Sequence, residues 1–335
     1  MSRAPDRSRL VDVAARAGVS AQTVSNVFSE RGGYTDATKA RVMRALKELE
    51  YRPDRAAQSL RTARMRQIGL DMSGQQLDVR TPVVVEFVGY LLAAATRVDH
   101  QVVLTAGVDG SPDGFADLAA RRGVDGFVLF NSTPTDPRPR ILADLGVPYV
   151  TFGRPAPDLP QTWVDIDNSA AMAPVVDHIV GAGHRHIAYL GDNGPEYWVT
   201  ERLDGVHARL AHHGRRLPES ATFLGRPDSL RPLVERLLAR KRRPTAVITS
   251  GDQLAALVVN VARGLGLEAG RDITVTGFGG DRVSWMDEPP LTTVRIPVAA
   301  VADALVARFL REVETGPTSD PGQLLPTEFF IGRTG

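Results

Sequence analysis

LVDVAARAGVSAQTVSNVF, residues 10–28, decides how the amino-terminal part of this chain folds. Leu10, Val13, Ala14 and Ala17 recur at helical spacing, Gly18 interrupts them, and Ser20 precedes a second run, AQTVSNVF. The spacing predicts a helix, a tight turn and a capped second helix. Ser20 is the expected N-cap, since its hydroxyl accepts from an otherwise orphaned backbone N–H, and Gly18 supplies the positive φ of the turn. Val24, Val27 and Phe28 are then expected to face inward. Ala21, Gln22, Ser25 and Asn26 fall on the outer side, with Thr23 near the helix start. These are groove-reading residue types: Gln and Asn bond adenine bidentately, Ser and Thr bond bases or phosphates, and Ala meets a thymine methyl.

Working outward, a third helix capped by Thr35 or Asp36 is expected to run to about Glu50, with Val42, Ala45, Leu46 and Leu49 as its apolar stripe. It closes a minimal three-helix core. Pro53 halts the chain next, and Asp54 can cap a short helix reaching Arg61. That segment has too few apolar residues to fold alone, so it is expected to order only against DNA or a second copy. Leu60, its one large apolar side chain, suits a minor-groove wedge. Charge agrees with this reading. Residues 1–66 hold 14 Lys and Arg against 7 Asp and Glu, whereas the remainder holds 26 against 32. A basic module on an acidic body is the footprint of a protein that sets one part on a polyanion; a solvated basic tail is the alternative.

The remaining composition narrows the class. The 335 residues are 43% hydrophobic, with no apolar run of membrane-spanning length and no secretory block at the start. No cysteine is present, which excludes disulfides and thiolate metal sites and suits a cytoplasmic protein. From residue 68 onward β-rich runs alternate with helical stretches: IGLDM, QVVLTAG, GFVLFN, PYVTFG, HIAYLG, TAVITSG and ITVTGFG. Such alternation predicts parallel sheets with helices on both faces and ligands beyond the carboxyl ends of the strands. Residues 134–139 and 316–322 read as surface loops.

The stretch LVDVAARAGVSAQTVSNVF, followed by TDATKARVMRALKELEYRPDRAAQSLR, resembles the head of the LacI/GalR (lac-repressor) family over Leu10 to Arg61. The resemblance continues through GVPYVTFGR, VDIDNS, HIVGAGHRHIAYLGD, ERLDG, GLGL and EPPLTTVRIP. It implies an all-α helix-turn-helix head with a hinge helix, followed by an α/β, two-lobed, periplasmic-binding-protein-like core with parallel sheets. The implied domains are a DNA-binding head at 8–52, a hinge at 53–65 and an effector-binding, dimerising core at 66–335. Within the core the first lobe is about 66–166 plus 296–323, and the second about 167–295 plus 324–335. For DNA it implies Ser20, Ala21, Gln22, Thr23, Ser25 and Asn26 in the head and Arg55, Ala57 and Leu60 in the hinge.

For a small-molecule effector it implies Arg202 of ERLDG, whose rigid fork of donors suits vicinal hydroxyls or a carboxylate; a helix-surface salt bridge is the bland alternative. Trp198, one turn earlier, either stacks on a ligand or packs in the core. Asn131, Arg154 and Asp167 lie at strand ends, as ligand contacts or as turn and cap residues. Two positions depart from the family pattern. Gly277-Phe278-Gly279-Gly280-Asp281 lacks the first of two aspartates, for which Asp281 is the displaced substitute, and Gly251-Asp252 keeps a helix-capping aspartate without the usual amide. The effector is therefore a sugar or sugar derivative, another metabolite, or none.

Rival readings fare worse. As a dinucleotide fingerprint, residues 277–282 have Arg282 where a third glycine belongs. His178, His184 and His186 surround a turn where packing or exposure is the commoner fate than metal binding. No catalytic constellation, cofactor or metal site is expected. The expected protein is a cytoplasmic, nucleoid-associated repressor without a membrane partner. It binds a near-palindromic operator on double-stranded DNA as a homodimer, two-fold symmetry matching two half-sites. The chain ends without a leucine-heptad tail, which favours a dimer over a tetramer.

Overall fold

The computed structural model describes residues 9–28, 32–51, 64–72, 82–105, 113–121, 123–154, 162–280, 290–316 and 322–335. Internal contacts divide the chain into two compact units, residues 1–65 and 66–335.

The first unit holds α1 (Leu10–Ala17), α2 (Ala21–Phe28) and α3 (Asp36–Glu48). Each boundary has a local cause. Gly18 ends α1 in the left-handed conformation at φ 64°, returning its N–H to the carbonyls of Ala14 and Ala15. Ser20 Oγ accepts the Thr23 N–H at 3.1 Å and Thr35 Oγ1 accepts the Thr38 N–H at 3.3 Å, so both expected caps form. The third helix stops two residues short of Glu50, because Glu50 itself turns left-handed at φ 45° and lets the Tyr51 N–H close back on Leu46. Val13, Val24 and Val42, one from each helix, are completely buried and centre the core. Burying such side chains contributes roughly 1.5–3 kcal/mol each, which a helix this short cannot obtain alone.

The second unit has two lobes. In the first, β1 (Gln67–Asp71), β2 (Gln101–Thr105), β3 (Gly126–Phe130), β4 (Tyr149–Phe152), β5 (Thr162–Ile166) and β11 (Gln323–Leu325) form a sheet in the order β11-β5-β4-β3-β1-β2. All its pairs are parallel. The helices α4 (Pro82–Arg97) and α11 (Val298–Thr315) cover one face around Leu91, Leu305 and Phe309. On the other, α5 (Asp113–Ala120) and α6 (Arg138–Asp144) supply Ala119 and Leu142 to a cluster with Phe127, Leu129 and Tyr149. Strands covered on both faces need continuous apolar character, and β3 is buried along its whole length.

In the second lobe, β6 (Ile187–Gly191), β7 (Thr222–Leu224), β8 (Ala246–Thr249), β9 (Thr274–Gly279), β10 (Thr292–Arg295) and β12 (Glu328–Phe330) run in the order β12-β10-β9-β8-β6-β7. Only the β10–β12 pair is antiparallel. Its faces are covered by α7 (Ala173–Gly181) with α8 (Tyr197–His212), and by α9 (Pro227–Leu238) with α10 (Asp252–Gly264). The chain crosses between lobes after β5, after β10 and after β11. The last crossover follows Leu325, two residues beyond position 323, because β11 pairs with β5 as far as Leu325.

One expected surface loop is shorter than expected: Pro134, Thr135 and Pro137 are exposed in a turn, but Arg138 and Pro139 already open α6 and are buried. Arg138 donates to Asp136 at 2.8 Å, to the Phe130 carbonyl at 2.9 Å and to Asp71 at 3.4 Å, an ion cluster that lets a charged residue enter the lobe. The other expected loop, 316–322, lies mostly outside the described residues.

Candidate functional site

Two sites emerge, one in each unit. In the head, Ser20 holds the start of α2 and also pairs with the Thr23 hydroxyl at 2.9 Å. Gln22 is exposed and Asn26 half-buried one turn later, and the Gln22 Nε2 donates to Asn26 Oδ1 at 2.9 Å. The two amides thus form one stripe along the helix, pre-oriented by each other. Ala21 and Thr23 flank it, both half-buried. Ser25 departs from the outward position expected of it. It is only 8% exposed, because at 100° per residue it follows Val24 onto the packed flank of the helix. Arg55, Ala57 and Leu60 lie outside the described residues.

The second site is built where the carboxyl ends of β4 and β5 meet the first turns of α8. Arg202 is its centre. Far from forming a helix-surface salt bridge, it is 8% exposed and carries no direct carboxylate partner among the described residues. Its Nε donates to Asn168 Oδ1 at 2.9 Å and its Nη1 to the Ser250 carbonyl at 2.6 Å. The guanidinium carbon lies 3.6 Å from the centre of the Phe278 ring and 4.5 Å from that of Trp198. Burial pulls its pKa down to about 10, against the raising influence of Tyr189, Asp165, Asp252 and Glu201. Aromatic faces and charged hydrogen bonds, about 1–3 kcal/mol each, offset the cost of holding a cation there. Trp198 is therefore neither pure core nor free platform; it is half-buried with Arg202 against its ring.

The strand-end candidates divide. Both the backbone N–H and Nε of Arg154 donate to Asp165 Oδ2 at 3.2 Å, and its Nη2 donates to Glu201 Oε1 at 2.6 Å. Burial lowers its pKa, but Glu201 and Asp165 outweigh that and raise it above the ordinary value. Burial likewise raises both Asp165 and Glu201 above the usual carboxylate range, in each case partly offset by Arg154. Asp167 caps a short turn, accepting the Ala170 N–H at 2.8 Å. Asn131 ends β3 half-buried in the left-handed conformation at φ 54°, which asparagine tolerates better than most residues. Asp281 lies outside the described residues.

Asp252 does not cap α10. The N-cap is Gly251, without a side-chain bond, while Asp252 accepts the Gly280 N–H at 2.7 Å and the Thr293 hydroxyl at 2.6 Å. This explains the run of glycines at the end of β9. A Cβ on Gly277 would stand 2.1 Å from Asp252 Oδ1, Gly279 adopts φ 133°, and a Cβ on Gly280 would collide with Arg295. A side chain at 279 would need a strained backbone and would meet Asp252 at 3.2 Å.

Asn168, Glu201, Ser250 and Phe278, which the fold gathers around Arg202, are not among the candidates drawn from the sequence. Their presence in VDIDNS, ERLDG and two strand-end runs was the available signal, but their partners are distant in sequence. His184 accounts for itself: its ring nitrogens face the hydroxyls of Thr245 at 2.9 Å and Thr274 at 3.0 Å. Among the described residues no group of three His, Asp or Glu side chains is arranged to hold a metal ion, and no helix is long and apolar enough to cross a membrane.

Comparison with known proteins gives the same two parts. Residues 9–54 match the profile described as "Bacterial regulatory proteins, lacI family", and residues 176–334 match "Periplasmic binding protein-like domain". The chain is similar to the HTH-type transcriptional regulator CelR of Thermobifida fusca, with 32% identity over 338 residues and 98% of each chain covered. AglR of Rhizobium meliloti (strain 1021) shares 31%, covering 88% of this chain and 84% of that one. Among solved structures, a CelR–cellobiose complex matches at 28% identity and TM-score 0.74, covering 98% of this chain and 100% of that one. The lac repressor dimer bound to operator and the anti-inducer ONPF matches at 26% identity and TM-score 0.81, covering 98% and 99%.

Proposed function

The chain belongs to the lacI family of bacterial regulatory proteins, DNA-binding transcriptional regulators rather than enzymes, and from that premise we propose how this member works. Two copies associate through the core and set their heads on the half-sites of a near-palindromic operator, repressing transcription and residing on the nucleoid. A sugar or sugar derivative entering between the lobes shifts that equilibrium, with a coupling of about 1–3 kcal/mol. The head comprises residues 8–52, the hinge 53–65 and the core 66–335. Gln22 and Asn26 read base edges, Ser20 and Thr23 meet the backbone, and Leu60 with Arg55 and Ala57 enters the minor groove.

The observation that carries the effector half is Arg202, a buried guanidinium fixed by Asn168 and Ser250 against two aromatic rings, with no direct carboxylate partner among the described residues. A preorganised fork of donors beside an aromatic surface suits a sugar, whose hydroxyls lie in its ring plane and whose C–H faces stack on Trp198. The relative solved with cellobiose supports the same class. The test is selection of bound duplexes from a random pool at fixed salt, with and without cellobiose and other saccharides. An enriched near-palindrome whose recovery changes with one saccharide is the expected result. Enrichment indifferent to every saccharide overturns the sugar effector, and no enrichment overturns operator reading.

A further inference from the structure

The ligand arginine and the contact between the lobes share one hydrogen-bonded chain. Asp165 ends β5 in the first lobe and holds Arg154, which follows β4 in the same lobe. Arg154 then reaches into the second lobe, to Glu201 on α8, at 2.6 Å. The other oxygen of Glu201 accepts from Asn168 Nδ2 at 3.2 Å, and the same amide accepts from Arg202 Nε at 2.9 Å. Asn168 lies on the first crossover, between β5 and α7, and is 3% exposed.

Two adjacent residues of α8 are therefore held by one amide on the hinge. Glu201 has one oxygen on the first lobe and one on that amide, and Arg202 faces the ligand site. We propose that Glu201 is a positioning residue: it ties lobe closure to the orientation of Arg202, so that ligand capture and closure are one linked equilibrium. On this proposal, opening the lobes parts Arg154 from Glu201, and the Glu201 so released no longer holds the Asn168 amide in the orientation that accepts from Arg202. The proposal rests on the reading of Arg202 as the effector contact. Both carboxylate oxygens of Glu201 are taken up by protein donors, so its role is to position rather than to bind. The charge of the Arg154–Glu201 pair matters because Glu201 is 24% and Arg154 35% exposed, enough for closure to remain reversible and too little for water to replace the contact at no cost.

The test uses the full chain without effector, so it does not depend on which sugar binds. The chain lacks cysteine, so thiols introduced at the exposed Asp144 of the first lobe and Glu235 of the second take spin labels without background. Labelled protomers are diluted into unlabelled chain, and the distance between lobes is read by pulsed electron resonance. Glu201→Gln keeps the size and the folding, which thermal unfolding verifies. The expected result is about a fivefold to thirtyfold fall in the closed-to-open ratio. Arg154→Ala should produce the same fall, and the double variant no more than either alone. A wild-type distance distribution in Glu201→Gln, or additive effects in the double variant, overturns the proposal. Cellobiose titration by calorimetry is the second readout: Glu201→Gln should weaken binding about as much as it opens the lobes, and unchanged affinity overturns the link to Arg202. Failure of wild-type chain to bind cellobiose or any other saccharide overturns the sugar reading instead, and the distance measurement still decides whether the Arg154–Glu201 contact holds the lobes closed.

Discussion

Both lobes bury an arginine at the carboxyl end of the sheet, Arg138 and Arg202, and the two are treated in opposite ways. Arg138, in the first lobe, is 6% exposed and surrounded by carboxylates: Asp136 on its own turn and Asp71 at the end of β1, which also accepts from Thr105. Burial alone would lower its pKa, but the two aspartates raise it above the ordinary arginine value. Arg202, in the second lobe, is 8% exposed and meets an amide, a carbonyl and two rings, and its pKa falls to about 10. A neutralised buried charge finishes a fold. A buried charge without its counter-ion keeps part of its binding capacity for something else.

Removing each arginine in turn is the sharpest way to break that comparison. Arg138→Met leaves Asp71 and Asp136 without their cation, which should cost about 3–5 kcal/mol in denaturant unfolding. A loss below about 1 kcal/mol would show that the first-lobe cluster is not structural. The carboxylate that stays away from Arg202 comes next. Gly277→Ala drives a Cβ to 2.1 Å from Asp252 Oδ1 and should cost about 1–3 kcal/mol, because Asp252 cannot shift without leaving Gly280 and Thr293. If the variant is as stable as the parent, Asp252 has another resting place and is not committed to the β9–β10 end. Arg202→Met should change stability by only about 1 kcal/mol, since it exchanges lost hydrogen bonds for relief of charge burial. Its effect is on function: saccharide response should vanish while operator binding without saccharide persists. A destabilisation as large as that of Arg138→Met would make the two arginines equivalent and remove the contrast.

The same contrast explains what could be read in advance. The head was legible because its signals are local: Gly18 and the turn it makes are neighbours, and Ser20 and Thr35 cap helices that begin at the next residue. The alternation of strands and helices was legible for the same reason, each strand being a continuous run. Ser25 was misplaced because adjacent residues on a helix differ by only 100°, and the packed face of α2 is wide enough to include both Val24 and Ser25. Arg138 sits in a stretch rich in proline and charge, indistinguishable from a surface loop, and its burial depends on Asp71, 67 positions earlier. Asp252 stands where a helix cap would stand, yet its partners are 28 and 41 positions away. Residue type and spacing identify which side chains can carry chemistry, and long-range pairing decides which of them are already satisfied.

A third arginine, more exposed than these two, extends the comparison. Arg209 of α8 donates to Asp177 of α7 through Nε at 2.7 Å and Nη2 at 2.6 Å, and His213 shares the same carboxylate at 2.6 Å. The hydrogen bond from Arg209 is the main reason that the Asp177 carboxyl is held down to about 2, with His213 adding to it. A carboxyl lowered on folding contributes stability that is fully present above its unfolded value near 4 and is lost as pH falls towards 2. Asp177→Asn should therefore flatten the decline in stability between about pH 4 and pH 2, while leaving the response to saccharide at neutral pH unchanged. The side chains are about one-third exposed, so water and salt screen the pair and the change should be the smallest of the series. Two-state denaturant unfolding at several pH values measures it. An unaltered acid slope would mean that the clasp between α7 and α8 contributes nothing beyond what solvent supplies to the separated charges, and that only burial distinguishes the arginines of this core.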